Sequence, residues 1–265
     1  MTSVNTNVGA LLAQKFLRST SSDLNMTQNR VSSGLRVAGS ADDASTFAVA
    51  QGLRADIKSY TAVSSALGGA KAAATVAVTA AETISKRLED VKAKVVQLSD
   101  ESLSTASRTS YQNDLTQMLT EVNSYLTAAS YNGQNLLNTT TDVKTVANID
   151  ASTITFTAQN VQNLTIAAIT NATDGATALG TLTTFKADVD TALAQLGANI
   201  KAADAQSEFI KQVGETVTIG LGALVDADMA KETANLQALQ VRQQLGVQAL
   251  GIANQAPQTL LGLLR

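Results

Sequence analysis

Few side chains in this sequence could carry chemistry. It has no histidine and no cysteine. Imidazole base catalysis, thiolate nucleophiles, disulfides and the commonest metal sites therefore lack their residues. Carboxylates remain. Asp226, Asp228 and Glu232 are spaced closely enough to suggest an acid–base pair or a hard-cation site, and Asp42-Asp43 form a second group. Both groups stand at the start of a helix-forming stretch, where a carboxylate caps the first turn and favours the positive helix end. Capping is the reading adopted for both. Gly220-Leu221-Gly222 lacks the lysine of a phosphate loop and the third glycine of a dinucleotide fingerprint. No catalytic, cofactor or metal site is expected.

The elements around these residues are helical. The chain is 45% hydrophobic but only 3% aromatic, so Ala, Leu and Val must supply thin helix-on-helix packing. Charged residues make up 15%, below the usual quarter. A polar, weakly charged surface suits repeated contact between copies. With a net charge of −3 and no basic cluster, nucleic-acid binding is not expected. No apolar run approaches a membrane span, and residues 1–30 lack the pattern of a cleavable signal peptide. Sequons at Asn25, Asn138, Asn163 and Asn171 are expected by chance in so Thr- and Asn-rich a chain.

The spacing predicts an N-terminal helix and connector over 1–43, the helix closed by Ser32-Ser33-Gly34. Its weak propensity predicts fraying until it finds a partner. A long helical hairpin follows over 44–138. Its first helix, from Ala44 to about Leu98, would be roughly 80 Å long. Ile84, Leu88, Val91, Val95 and Leu98 share one face of it, and Gly68-Gly69 should weaken or bend it. The second helix, from about Ala106 to Ser130, carries Tyr111, Leu115, Met118, Val122, Leu126 and Ala129. Asn132-Gly133 marks a turn. Residues 139–182 read as a small β tip, with Ile154 and Phe156, then Val161, Leu164 and Ile166, as strands. A third long helix occupies 183–222, with a soft join at Gly220-Leu221-Gly222, and a terminal helix occupies 223–265.

The two ends carry matching stripes. Ala10, Leu17, Leu24 and Val31 recur every seven residues. Leu236, Leu239, Leu250, Ala253, Leu260 and Leu264 follow a coiled-coil spacing, interrupted by Gln243 and Gly246. The ends should pair, with the next layers nested inside them. The expected fold is mainly α: an elongated antiparallel bundle of long helices, paired terminal coiled-coil helices and a small β tip. Pro257, the only proline, should kink the last helix or start its final turns. Leu260, Leu261, Leu263 and Leu264 have no evident cover within one copy.

The sequence resembles bacterial flagellin. The similarity runs through VNTNVGALLA, VSSGLRVAGSADDAS and YNGQNLL in the first half. It returns in LGAN at Leu196–Asn199, LVDADMAKE at Leu224–Glu232 and QLGVQALGIANQAPQTLLGLLR at the end. The resemblance implies a structural, self-assembling subunit of the extracellular flagellar filament, with the paired ends in the filament core. It also implies export unfolded through a type III pathway, an export chaperone, and cap and hook-junction proteins as partners. Residues 139–180 are too few for a large outer domain. The segment Leu88–Gln97 resembles the one read by the innate Toll-like receptor for flagellin. Recognised members place an Arg where this chain has Asp90 and a Leu where it has Lys94, which implies weak or no activation.

The nearest rival is the hook–filament junction protein, which resembles flagellin at both ends; the match from Val225 to Arg265 favours flagellin. A flagellin with a catalytic insert needs convergent polar groups that the short centre does not supply. A membrane-active helix needs a basic polar face that the terminal stripes lack, so no membrane insertion is expected.

Overall fold

The computed structural model describes the backbone of residues 6–263 and the side chains of residues 6–255. Its helices are α1 (Val8–Ser33), α2 (Ala44–Leu98), α3 (Thr105–Ala128), α4 (Ala172–Val225) and α5 (Met229–Leu263). Two antiparallel strand pairs lie between α3 and α4: β1 (Ser130–Tyr131) with β2 (Gln134–Asn135), and β3 (Val143–Val146) with β4 (Thr153–Phe156). The described residues are thus mainly α, with long helices and little sheet. They fall into two compact units, residues 56–215 and residues 1–55 with 216–265.

In the unit of residues 56–215, α2 packs antiparallel against both α3 and α4. Arg87 on α2 donates to Glu121 on α3 at 2.8 Å, and Lys94 to Asp114 at 3.2 Å. Lys71 pairs with Asp204 on α4. The expected face Ile84, Leu88, Val91, Val95 and Leu98 is buried, against Leu115, Val122 and Leu126 of α3 and Leu182, Phe185 and Leu196 of α4. Each such side chain contributes about 1.5–3 kcal/mol of burial. Before Ile84, the α2 part of this core is Ala70, Ala73, Ala74, Ala77 and Ala81, small enough for close helix approach. Gly68-Gly69 lies within unbroken α2. Buried Leu67 and Ala70 flank it and hold the helix together.

The connections are pinned by side chains. Arg108 donates to Leu98 O at 2.6 Å and Asp100 O at 2.8 Å, closing the C-terminal end of α2. Asn132 and Gly133 both take positive φ, 49° and 77°, in the β1–β2 turn. On the outer surface, Thr75, Thr79 and Thr83 each donate their hydroxyl to the carbonyl four residues back, at 2.9 Å. Thr116 and Thr120 do the same on α3.

Two expectations for the centre need correction. The strands end at Phe156, and Val161, Leu164 and Ile166 form no strand. Asn123 on α3 instead imitates a strand partner: it accepts from Leu164 N at 2.8 Å and donates to Leu164 O at 3.0 Å. The helix placed at 183 begins at Ala172 and runs through Gly220 and Gly222 to Val225, past the expected end at 222. Asn171 caps it by accepting from Asp174 N at 2.9 Å, while the Asp174 carboxylate accepts from Thr170 N at 2.9 Å.

In the other unit, α1 lies along α5, the partner expected for it. It ends at Gly34, φ 72°, whose N–H donates to Arg30 O at 2.9 Å. The connector is pinned to the α4–α5 joint. Arg36 N donates to Val225 O at 2.7 Å, Ala227 N donates to Gly34 O at 2.9 Å, and Leu35 bridges Asp226. Val37, Ala50 and Val225 are buried there beside Phe47 and Leu221. Asp43 caps α2, accepting from Ser45 N and Thr46 N at 3.1 Å. α5 continues through Pro257 to Leu263.

One further close approach and one of these caps can be tested directly. A Cβ on Gly175 would lie 1.8 Å from Ser99 Oγ and 2.7 Å from Ser99 Cβ. Gly175→Ala should therefore cost about 1–3 kcal/mol in denaturant melts, and Ser99→Gly in the same chain should recover most of it. The Thr46 hydroxyl, then its N–H, then the Ser45 hydroxyl lower Asp43 from 3.8 to about 2. A lowered carboxylate stabilises above its unfolded pKa, and the gain is lost as pH falls through the folded one. The difference in melting temperature between Asp43→Ala and the parent should hold steady from neutral pH to about 4. It should close as pH approaches about 2.

Candidate assembly surface

Of the carboxylates that could have carried chemistry, Asp42, Asp43, Asp228 and Glu232 are occupied structurally. Asp228 caps α5, accepting from Ala230 N at 3.0 Å and Lys231 N at 3.1 Å. Asp42 accepts from Ala38 N and Gly39 N in the connector turn. Asp42 thus caps no helix, and neither does Glu232, which is buried and pairs with Arg30 of α1 at 3.5 Å. Among the described residues, no three potential ligand side chains gather as a metal site requires. Among them, too, no helix is long and apolar enough to cross a membrane.

The feature with functional content is the antiparallel pair of α1 and α5. Asn7 Nδ2 donates to Ala253 O at 2.6 Å, Leu17 Cδ1 sits against Gly246, and Arg30 reaches Glu232. These three contacts fix one register. Leu24 is buried between the helices, and Ala10, Leu17, Val31, Leu236, Leu239, Leu250 and Ala253 are half-buried. The predicted stripes therefore meet each other within one chain. The side chains of Leu260 and Leu264 lie outside the described residues.

The seam is fuller than the sequence reading had it. Gln243 and Gly246 do not interrupt it. Glu232, Leu236, Leu239, Gln243, Gly246, Leu250 and Ala253 alternate steps of four and three, all buried or half-buried. On α1, Ala13, Thr20 and Thr27 supply the missing alternate positions. Polar and small side chains hid them, because an apolar search skips Thr, Gln and Gly. The signal available was the unbroken four-three step itself.

A seam of such small and polar residues leaves large apolar side chains elsewhere. On α1, Val8, Leu11, Leu12 and Phe16 point outward, with Phe16 62% exposed. On α5, Val241, Leu245 and Ile252 point outward, with Ile252 70% exposed. By the register of the pair, Leu245 and Ile252 lie level with the end of α1 that carries Val8 to Phe16, and Val241 lies level with about its middle. This outward face was missed by the sequence reading, which assigned assembly to the inner stripe. Single exposed apolar residues are ordinary, but so many on one helix pair make it the candidate assembly surface.

Asp90 and Lys94 lie on α2 far from this surface in sequence. Asp90 is exposed and accepts from Arg87 at 3.2 Å. The Lys94 side chain is only 15% exposed, turned toward α3 with its ammonium 4.7 Å from the Tyr111 ring.

Comparison with known proteins bears on the whole chain. The family model of the bacterial flagellin N-terminal helical region matches residues 4–142, and that of the C-terminal helical region matches residues 179–264. The chain is 36% identical to flagellin FljO of Caulobacter vibrioides over 271 residues, covering 100% of this chain and 99% of that protein. It is 38% identical to a flagellin of Brucella melitensis over 283 residues, covering both chains fully. Flagellin C of Rhizobium meliloti is 30% identical across 99% of each. With both helical regions matched in order around a short centre, the chain belongs to the bacterial flagellin family.

Proposed function

We propose that this chain is the structural subunit of a bacterial flagellar filament, built from many copies of itself outside the cell, with no catalytic role. The observation that carries the reading is the outward face of the α1–α5 pair. Val8, Leu11, Leu12, Phe16, Leu245 and Ile252 are left exposed in one copy, and stacking further copies would remove them from water. The inner stripe, from Ala10 to Val31 and from Leu236 to Ala253, holds each subunit's two ends together so that this face exists. Family membership supports export through the type III route, with an export chaperone, cap and junction proteins as partners on the way.

Phe16→Asp separates assembly from folding. Phe16 is exposed in the single chain, so melting should change by no more than about 0.5 kcal/mol. Elongation on filament seeds should stop, because a carboxylate would be forced into a multi-copy apolar core. Filaments of normal yield from this variant would remove the outward face from the reading. Leu250→Asp should block elongation as well, and should also loosen the α1–α5 pair, because Leu250 is half-buried against α1.

The same reading extends to the innate receptor. Asp90 puts a carboxylate at an exposed position of α2, and Lys94 puts a charge where recognised flagellins carry an apolar residue. Reporter cells bearing that receptor should respond weakly or not at all; Asp90→Arg with Lys94→Leu should raise the response.

A further inference from the structure

The outward side chains of the α1–α5 pair are sorted by side. With the seam residues as positions a and d of a heptad, Ala10, Leu17 and Leu250 stand at a, and Ala13, Gly246 and Ala253 at d. In an antiparallel pair the g edges of both helices lie on one side and the e edges on the other. Phe16 stands at g, and Leu12, Leu245 and Ile252 stand at c, beside g. These four exposed side chains form an apolar ridge on one side of the pair. Asn7, Gln14 and Asn254 stand at e, and Leu11 at b, on the other side. There the surface is hollow. Those four side chains line an open notch of about 400 Å³ together with the half-buried Ala10 and Leu250. Asn7 bonds Ala253 O and Leu17 meets Gly246, so ridge and notch lie level with each other, back to back.

A ridge alone cannot build a filament. Two copies that meet ridge to ridge about a two-fold axis cover each other and stop, whereas open-ended stacking needs two different surfaces on every copy. The notch supplies the second surface. It is lined by no charged side chain, and its size admits a large apolar one. The ridge residues are uncharged as well, so bringing the two together strips water from no ion. Because ridge and notch are level, one copy can follow the next sideways without sliding along the helix axis.

We propose that the notch receives the ridge of a second copy, so that α1–α5 pairs join side to side in an open series. The proposal rests on the filament reading above and adds which two surfaces meet. Phe16 and Ile252 are the inserting side chains, and Leu11 and Leu250 are the apolar surface they cover. The amides of Gln14 and Asn254 rim the contact.

The chain has no cysteine, so thiols can be placed on each side. Gln14→Cys stands at the notch, and Ala249→Cys stands at g between Leu245 and Ile252; both positions are exposed in the single chain. Filaments of Q14C/A249C grown on seeds and treated with a short bismaleimide should run on denaturing gels as ladders of three, four and more copies. Filaments of Q14C alone, or of A249C alone, should run as single chains. Dimers from A249C alone would place ridge against ridge and overturn the proposal. Filaments of Q14C/A249C that give no ladder would overturn it too. A second arm fills the notch: Gln14→Trp should slow elongation about tenfold or more, with helix content unchanged by circular dichroism, while Gln14→Ala should elongate like the parent. Unimpaired growth of Q14W counts against the notch and decides the matter if Q14C/A249C itself does not elongate. A parent chain that never elongates on seeds removes the filament reading and this proposal with it; filaments without the ladder remove the proposal alone.

Discussion

The antiparallel pairing of α1 with α5 is the constraint on which the functional surface depends. It joins residues at opposite ends of the chain, Asn7 with Ala253 and Arg30 with Glu232. Joining chain ends that far apart carries a loop-closure cost, though one that grows only slowly with length. The pair is unusual in where it keeps its bulk. Ala, Thr, Gln and Gly share the seam with five leucines, while Leu11, Leu12, Phe16, Leu245 and Ile252 stand outside. A helix pair arranged in this way has a defined register and leaves large apolar side chains in water.

Residues 56–215 follow a different logic. There the large side chains of α2, α3 and α4 turn inward, and Phe156, Leu164 and Ile169 close the core from the irregular centre. Specific close approaches, such as Gly175 against Ser99, fix how the helices sit within this unit. This unit buries most of its large side chains, with Val96 and Phe209 exposed, whereas the other leaves most of the large apolar residues of α1 and α5 outside. That contrast separates folding from assembly along a single sequence.

Much of this was legible in residue order. The boundaries of α2, the glycine stop of α1 and the Asn132-Gly133 turn each had a local cause: a capping carboxylate, a left-handed glycine, a dipeptide tolerant of positive φ. The start of α4 was hidden because its first turns face the core with Gly175 and Ala178, too small to register as a stripe before Leu182 and Phe185. The path of Val161 to Ile169 depends on Asn123 and Gln112, amides supplied by α3 far away in sequence. No local pattern announces such a partner. The outward face was obscured for the opposite reason. Its side chains are strongly apolar, and an apolar residue on a helix is read as facing its own partner until the partner's position is known.

The threonines that bond back to their own helices shape what a neighbour would meet. With its hydroxyl hydrogen held by a carbonyl four residues behind, Thr75, Thr79 or Thr83 presents mainly a methyl group to its surroundings. Such methyl groups need little rearrangement of water to be covered, and they carry no charge themselves, though Lys71 and Arg87 bound the row. Lateral contacts made through it would hold about equally well in fresh water and in brine.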